Sequence, residues 1–267
     1  MKKKNILQTV PCCLLLIVFV VFGCKSANKT PTEQADTAGG FVPIFDGKTL
    51  GNWEGDPAYW RVENGCLTGE VTPTTLLDRN TFIIWKGGAP KDFELKLEFR
   101  ISKNGNSGIN YRSEPIDTIP FALKGYQCDI DGQNRYTGQN YEERKRTTLA
   151  YRGQKVIVKV QANPEMPGSL KSNIQNNAWQ SVEVTGSLGE PDSLNRYIHD
   201  EDWNTCHLVV SGNRMQHYIN DVLMSDVTDN DSMNRSFSGL IGVQVHVGPP
   251  MKVEYRNIRL KESKQDQ

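Results

Sequence analysis

The stretch FELKLEFRI, residues 93–101, alternates without a break. Phe93, Leu95, Leu97, Phe99 and Ile101 are apolar, and Glu94, Lys96, Glu98 and Arg100 between them are charged. Successive side chains of a strand point to opposite faces, so a period of two over this length specifies one buried and one wet face; a helix would scatter the same residues around its axis. Such a strand needs antiparallel neighbours and a second layer to cover its apolar side. Shorter runs supply them: YWRVENGCLTGEV, SGINYR, GYQCDID, QKVIVKV, CHLVVSG, RMQHYIND, LIGVQVHV and KVEYRNIRL, separated by Gly, Asn and Asp turns. No long stretch keeps an amphipathic helical period. The pattern predicts an all-β fold, a jelly-roll sandwich of two antiparallel sheets over residues 41–262, with the opening PIFDGKTLGNWEG closing one end.

At 267 residues and 37% hydrophobic, the chain can fill one sizeable core and not two comfortable ones, so a single domain is expected. Thirty-one basic residues balance thirty-one acidic ones, which leaves no global field toward nucleic acid or an anionic surface. The expected partner is small and neutral. The one basic run, EERKRTTLAYR, carries acids beside its bases and is expected to be a solvated segment.

The first 24 residues read as a targeting signal: MKKK supplies the positive start and CCLLLIVFVVFGC an apolar run too short for a comfortable membrane span. Its end, VVFGC, resembles the bacterial lipobox, with Phe22 bulkier than usual there, which makes Cys24 the expected site of lipidation and membrane anchorage. An uncleaved signal anchor is the alternative. Residues 25–40 are polar and small, as in a flexible tether. Lys25, with no acid close behind it, implies by resemblance a cell-envelope lipoprotein in the outer membrane, facing the periplasm. Of six cysteines, Cys66, Cys128 and Cys206 remain for the folded part. All three have apolar neighbours and read as small buried hydrophobes.

Parity along three strands sets out a polar row. In GINYR, Ile109 and Tyr111 share one side and Asn110 and Arg112 the other. In YQCDID, Tyr126, Cys128 and Ile130 oppose Gln127, Asp129 and Asp131. In GVQVHVG, Val243, Val245 and Val247 oppose Gln244 and His246. Short amides, carboxylates, an imidazole and a guanidinium suit a groove for a hydroxyl-rich ligand, whereas an ordinary wet face carries the Lys and Glu of ELKLEFR. A water-facing sheet of accidental composition is the plain alternative. Gly105 and Gly108 in NGNSGINYR are expected to permit close backbone approach to the ligand. DIDGQN opens like a calcium loop but lacks the later acids, so no cofactor is expected. A divalent metal on Asp129, Asp131 and His246 stays open.

FDGKTLGNW, WRVENGCLTG, DFELKLEFR, GNSGINYR, GYQCDID, TGQNY, WNTCHLVVSGNRMQHYINDVL, GLIGVQVH and VEYRNIRL follow in order the pattern of the 3-keto-disaccharide hydrolase domain family, which the chain resembles from about Phe41 to Leu260. The resemblance implies a concanavalin-like jelly roll acting on carbohydrate glycosides already oxidised at C3 by a separate glycoside 3-dehydrogenase. A ketone at C3 acidifies the C2 proton, so a base can form an enolate and the C1 aglycone can leave by elimination, with water added afterwards for net hydrolysis. In that reading Asp129, Asp131 and His246 are candidates for proton transfer and Arg112 for holding the developing oxyanion. Asn110, Gln127 and Gln244 would fix sugar hydroxyls. His217 is either a substrate contact or, from its shared parity with Met215 and Ile219, a core histidine. Two departures stand out: Gln127 and Asp129 replace the family's usual Glu and Gln, and IND replaces its Asn-Gly hairpin.

Residues 141–202 exceed the usual jelly-roll connection and are expected to form an insertion walling the groove, with Tyr141, Tyr151, Trp179 and Tyr197 available to stack on a sugar or to pack the insertion down. Two other functions fit the same fold: a lectin-like carbohydrate-binding module, and an ordinary glycoside hydrolase pairing Asp129 or Asp131 with a second carboxylate that the sequence does not identify.

Overall fold

The computed structural model describes residues 39–160 and 181–263. The signal segment with Cys24, most of the tether, and Trp179 lie outside the described residues. The chain forms β1 (Val42–Pro43), β2 (Trp53–Glu54), β3 (Trp60–Glu63), β4 (Cys66–Val71), β5 (Thr81–Trp85), β6 (Phe93–Ile101), β7 (Asn106–Pro115), β8 (Leu123–Asp131) and β9 (Asn140–Glu143). It continues through β10 (Thr147–Ala150), β11 (Gln154–Val158), β12 (Val182–Ser187) and a five-residue helix α1 (Pro191–Asn195). The last strands are β13 (Asn204–Ser211), β14 (Arg214–Ile219), β15 (Val222–Asp229), β16 (Leu240–Val245) and β17 (Met251–Glu262).

These strands form two stacked sheets. The larger runs β12-β11-β15-β14-β13-β6-β17-β4-β3, with β1 added beside β17; the smaller runs β10-β9-β8-β7-β16-β5-β2. The expected jelly-roll sandwich is present, and its pairings are antiparallel except where β11 lies parallel to β15. That exception follows from the chain leaving the edge of the smaller sheet at β10 and entering the larger one at β11 across a turn of three residues.

On β6 the alternation is realised residue for residue: Phe93, Leu95, Leu97, Phe99 and Ile101 are buried while their neighbours are half-exposed. The wet face is held by cross-strand ion pairs, among them Arg256 to Glu98, Lys261 to Glu94 and Arg100 to Glu254. Between the sheets these residues meet Ile109, Tyr111, Tyr126, Cys128 and Val243 in one core. Cys66, Cys128 and Cys206 are buried free thiols, as their apolar neighbours predict. The opening segment spans the two layers, because β1 pairs with β17 while β2 pairs with β5, and Trp53 Nε1 donates to the Ile44 carbonyl between them at 2.8 Å.

The basic run EERKRTTLAYR is not the solvated segment its composition suggests. Arg146 is 2% exposed and sits among Glu142, Asp229 and Asp231, donating to Asp229 Oδ2 at 2.6 Å and to Asp231 Oδ2 at 3.2 Å. Tyr126 donates its hydroxyl to the same Asp229 carboxylate at 2.6 Å. Glu142 from the run itself, together with Asp229 and Asp231, thus allows one of its arginines to be buried. Within the 141–202 segment, the described residues form most of β9 and all of β10, β11, β12 and α1. Tyr151 and Tyr197 are exposed at 44% and 48%, and neither reaches the cavity described next.

Candidate active site

On the face of the smaller sheet turned away from the core, side chains of β7, β8, β9 and the residue after β16 surround a cavity of about 180 Å³. Its lining comprises Asn106, Gln127, Asp129, Tyr136, Gln139, Tyr141, Glu143 and His246. Parity puts them there. Gln127 and Asp129 alternate with the core residues Tyr126, Cys128 and Ile130, and Tyr141 pairs with Gln127 across the β8–β9 ladder. Gln139, Tyr141 and Glu143 continue the same odd-numbered face on the neighbouring strand.

Asp129 is the centre of the arrangement. It is 8% exposed, and each carboxylate oxygen accepts one amide hydrogen bond, Oδ1 from Gln127 Nε2 and Oδ2 from Gln139 Nε2, both at 2.6 Å. Burial pushes its carboxyl up to about 7, while the two amide donors pull the other way and the charges of Glu143 and Asp131 add to the rise. Glu143 is raised for the same first reason, burial, and is held back by Asn80, Arg144, His246 and Gln244. Asn80 Nδ2 donates to Glu143 Oε1 at 3.3 Å. Tyr141 stays protonated because burial and the two nearby carboxyls all raise its phenol. The His246 Nδ1–H donates to the Val247 carbonyl at 2.6 Å, which leaves its Nε2 lone pair free to accept.

Three of the eight side chains expected at the site line this cavity: Gln127, Asp129 and His246. Gln127 chiefly holds Asp129, and its Oε1 has no protein partner. Gln244 is fully buried beside Glu143 and favours that group's ionised form, although neither of its polar atoms completes a well-formed hydrogen bond. Asn110 is also fully buried, bonded at 3.4 Å to Ser113 Oγ.

The remaining expectations are corrected. Arg112 lies at a bulge where the β7–β8 register shifts between Tyr111 and Glu114, and its backbone is left-handed at φ 45°. The alternation that would aim it at the groove is therefore broken. Its guanidinium donates to the carbonyls of Lys91, Gly212 and Ser236 and to Asp92, tying together turns at the end of the sandwich. Asp131 keeps the parity of Asp129, but the tight turn after it delivers the backbone N–H groups of Arg135, Tyr136 and Thr137 to its carboxylate at 2.8–3.2 Å. With Asp131 occupied, the trio considered for a divalent ion does not assemble, and no group of three or more metal-ligating side chains occurs among the described residues. His217 is the core histidine: fully buried, its Nδ1–H donates to the Gln139 carbonyl at 3.2 Å and its Nε2 lies 2.8 Å from the Tyr111 hydroxyl.

The room at the glycines is taken by the protein itself. A Cβ at Gly108 would lie 2.3 Å from Gln127 Cδ, so this glycine lets the Gln127 side chain lie across β7 on its way to Asp129. At Gly105 the nearest obstacle is Ile101. Sequence reading missed Glu143 and Gln139, though Gln139 lies within TGQNY, Glu143 stands two residues after it, and both share the parity of Tyr141. The mixed charge of EERKR masked the first of them.

The sequence model of the family described as the 3-keto-alpha-glucoside-1,2-lyase-like domain matches residues 40–261. A 3-keto-disaccharide hydrolase of Bacteroides thetaiotaomicron is 32% identical over 106 residues, an alignment spanning 34% of this chain and 34% of that protein. Two solved structures of Parabacteroides distasonis ATCC 8503, each proposed to be a glycosyl hydrolase, share the fold. One has a TM-score of 0.51 at 18% identity, covering 88% of this chain and 98% of the other; the second has 0.50 at 16%, covering 84% and 99%.

Proposed function

The chain belongs to the 3-keto-alpha-glucoside-1,2-lyase-like domain family, and on that premise we propose that its polar cavity cleaves the glycosidic bond of sugars already oxidised at C3. One observation carries the reading: Asp129, in the cavity, has a carboxyl raised to about 7, where a carboxylate is a competent base and its conjugate acid a competent proton donor at neutral pH. Asp129 takes the C2 proton, whose acidity comes from the C3 ketone. The C2–H pair moves toward the ketone oxygen, and Tyr141, held as a neutral phenol, donates to that oxygen as it gains charge.

Glu143, whose carboxyl burial raises, gives its proton to the departing glycosidic oxygen as the C1–O bond breaks. The products of this half are an unsaturated ketone and the free aglycone. In the second half Glu143, now ionised, takes a proton from the water that adds at C1, and Asp129 returns its proton to C2. Both carboxyls end as they began. His246 Nε2 and Gln127 Oε1, lacking protein partners, accept from sugar hydroxyls.

The test is release of aglycone from a 3-keto-glucoside beside the parent glucoside. Turnover of the first alone supports the mechanism; binding of both without turnover would instead make the cavity a lectin site. A second reading is favoured by the Asp129 and Glu143 pair, since an ordinary glycoside hydrolase also uses two carboxyls. It requires turnover of the parent glucoside. We further propose that a separate dehydrogenase supplies the ketone, and that lipid on Cys24 holds the protein at the outer membrane.

A further inference from the structure

We propose that Gln244 is a positioning residue of the site: its buried side-chain amide is the donor that receives the Glu143 carboxylate once that group has given up its proton. This rests on the glycoside-cleaving reading above, in which Glu143 is the acid. Local structure fixes where the amide can go. On β16, Val243 and Val245 are core residues, so Gln244 between them faces the side on which the cavity lies. Its carbonyl accepts from the Ser107 hydroxyl at 2.5 Å, and that hydroxyl accepts from Tyr255 at 2.6 Å, which ties the backbone down from the core. Phe82, fully buried, stands opposite it on β5. On its other side the pairing of Val243 with Ile109 puts Gln244 next to Gly108, over which the Gln127 side chain is laid. Walled in this way, Gln244 is fully buried, and neither its Oε1 nor its Nε2 has a hydrogen-bond partner.

A buried amide without partners costs free energy that an apolar side chain of the same size would not. The neighbour that can satisfy it is Glu143, whose ionised form Gln244 favours. Glu143 is itself buried, and among the described residues its carboxyl makes one hydrogen bond, accepted at Oε1 from Asn80 Nδ2 at 3.3 Å. Arg144 Nε lies 3.6 Å from the same oxygen, too far to donate. A neutral carboxylic acid tolerates this; a carboxylate does not. After proton transfer a buried anion short of donors therefore stands beside an amide short of an acceptor. A hydrogen bond gained as that charge forms stabilises the transition state for C1–O cleavage more than the resting site, and so lowers the barrier. The charged and titratable groups that also face Glu143 are Asp129 on β8, Tyr141 on its own strand, Arg144 after it and His246 following β16. Tyr141 is directed at the ketone oxygen in the mechanism and His246 donates to Val247, so neither takes this role from Gln244.

Gln244→Met keeps the volume and removes the donor. Its melting temperature should equal or exceed the parent's, because an unpartnered amide gives way to an apolar chain. For a 3-keto-glucoside with an alkyl leaving group, kcat should fall roughly ten- to hundredfold, the worth of a hydrogen bond to a charged group, while KM holds within about twofold. The nitrophenyl analogue, whose leaving group needs no proton, should lose less than about threefold. The basic limb of kcat against pH, where Glu143 must keep its proton, should move up by about one unit, since losing a donor disfavours the ionised form. A raised KM with kcat unchanged would make Gln244 a sugar contact, and equal losses on both substrates with a lower melting temperature would make it a packing residue; either overturns the proposal. A second measurement needs no Gln244 variant: in the parent, the Gln244 side-chain amide protons followed by NMR should move downfield as pH rises through the Glu143 titration, and stay put in Glu143→Gln. If the parent turns over neither 3-keto substrate, the catalytic reading fails instead, and this titration alone decides. A downfield shift would then sustain the amide–carboxylate contact, and a flat profile would end it.

Discussion

Gln139 binds Asp129 and is itself held by the core: its Nε2 donates to Asp129 Oδ2 at 2.6 Å, while its carbonyl accepts from His217 Nδ1 at 3.2 Å. The histidine that sequence parity left between core and cavity thus braces the residue that positions Asp129, the proposed base. Hydrogen bonds donated to a carboxylate favour its ionised form, so removing one raises the pKa further. In Gln139→Leu the acid limb of kcat/KM against pH, set by ionisation of Asp129 near 7, should move up by about one pH unit. A limb that stays in place would show that another group is the base.

Asp129 also makes folding depend on pH in an unusual direction. Its folded pKa, about 7, lies above the ordinary 3.8, so the folded state binds the extra proton between these values. The stability associated with that proton is fully present below about pH 4 and is lost as pH rises through 7. Asp129→Asn, which cannot ionise, should be inactive on 3-keto substrates yet more stable than the parent at pH 8, by at most about 4 kcal/mol. Urea unfolding at pH 4 and pH 8 reads the difference, and a variant destabilised more at pH 8 than at pH 4 would contradict the assignment.

Glu143→Gln tests the acid. The amide keeps the shape and the contact to Asn80 but has no proton to transfer. Turnover of a 3-keto-glycoside with an alkyl leaving group should fall by roughly 10²- to 10⁴-fold, and that of a nitrophenyl glycoside, which needs no protonation, far less. Equal losses on both would assign Glu143 to binding.

Arg112 should behave as a structural clamp. Truncation to alanine leaves the carbonyls of Lys91, Gly212 and Ser236 without their shared donor, and the expected loss is about 3–5 kcal/mol of stability. Arg112→Lys should recover little of it, because an ammonium cannot reach three divergent carbonyls at once. The midpoint of urea denaturation measures this. A variant that unfolds normally but has lost turnover would return Arg112 to the catalytic machinery.

Lipidation is checked by metabolic labelling with a palmitate analogue. Label should enter the protein, vanish in Cys24→Ala, and take with it the protein's sedimentation with the envelope. An unlabelled but membrane-bound protein would favour an uncleaved anchor.

What the sequence determined by itself is the face each strand buries. Alternation on β6 and β8 is a local property of the pleat, so Phe93 through Ile101 and the outward set of Gln127 and Asp129 were legible before any contact was known. His246 was legible for the same reason. Parity failed where the pleat itself is interrupted: at the left-handed bulge of Arg112, and at Asp131, where a turn brings three backbone donors to a carboxylate that the alternation had assigned to the groove. Only the tertiary structure decided which acids come together. Glu143 stands 14 positions from Asp129 on a neighbouring strand, beside Asn80 from 63 positions away, and Arg146 is buried by Asp229 and Asp231 from the far end of the chain. Whether a charge is solvated, paired or raised in pKa depends on what packs over it, and that is set by strand pairing at long range.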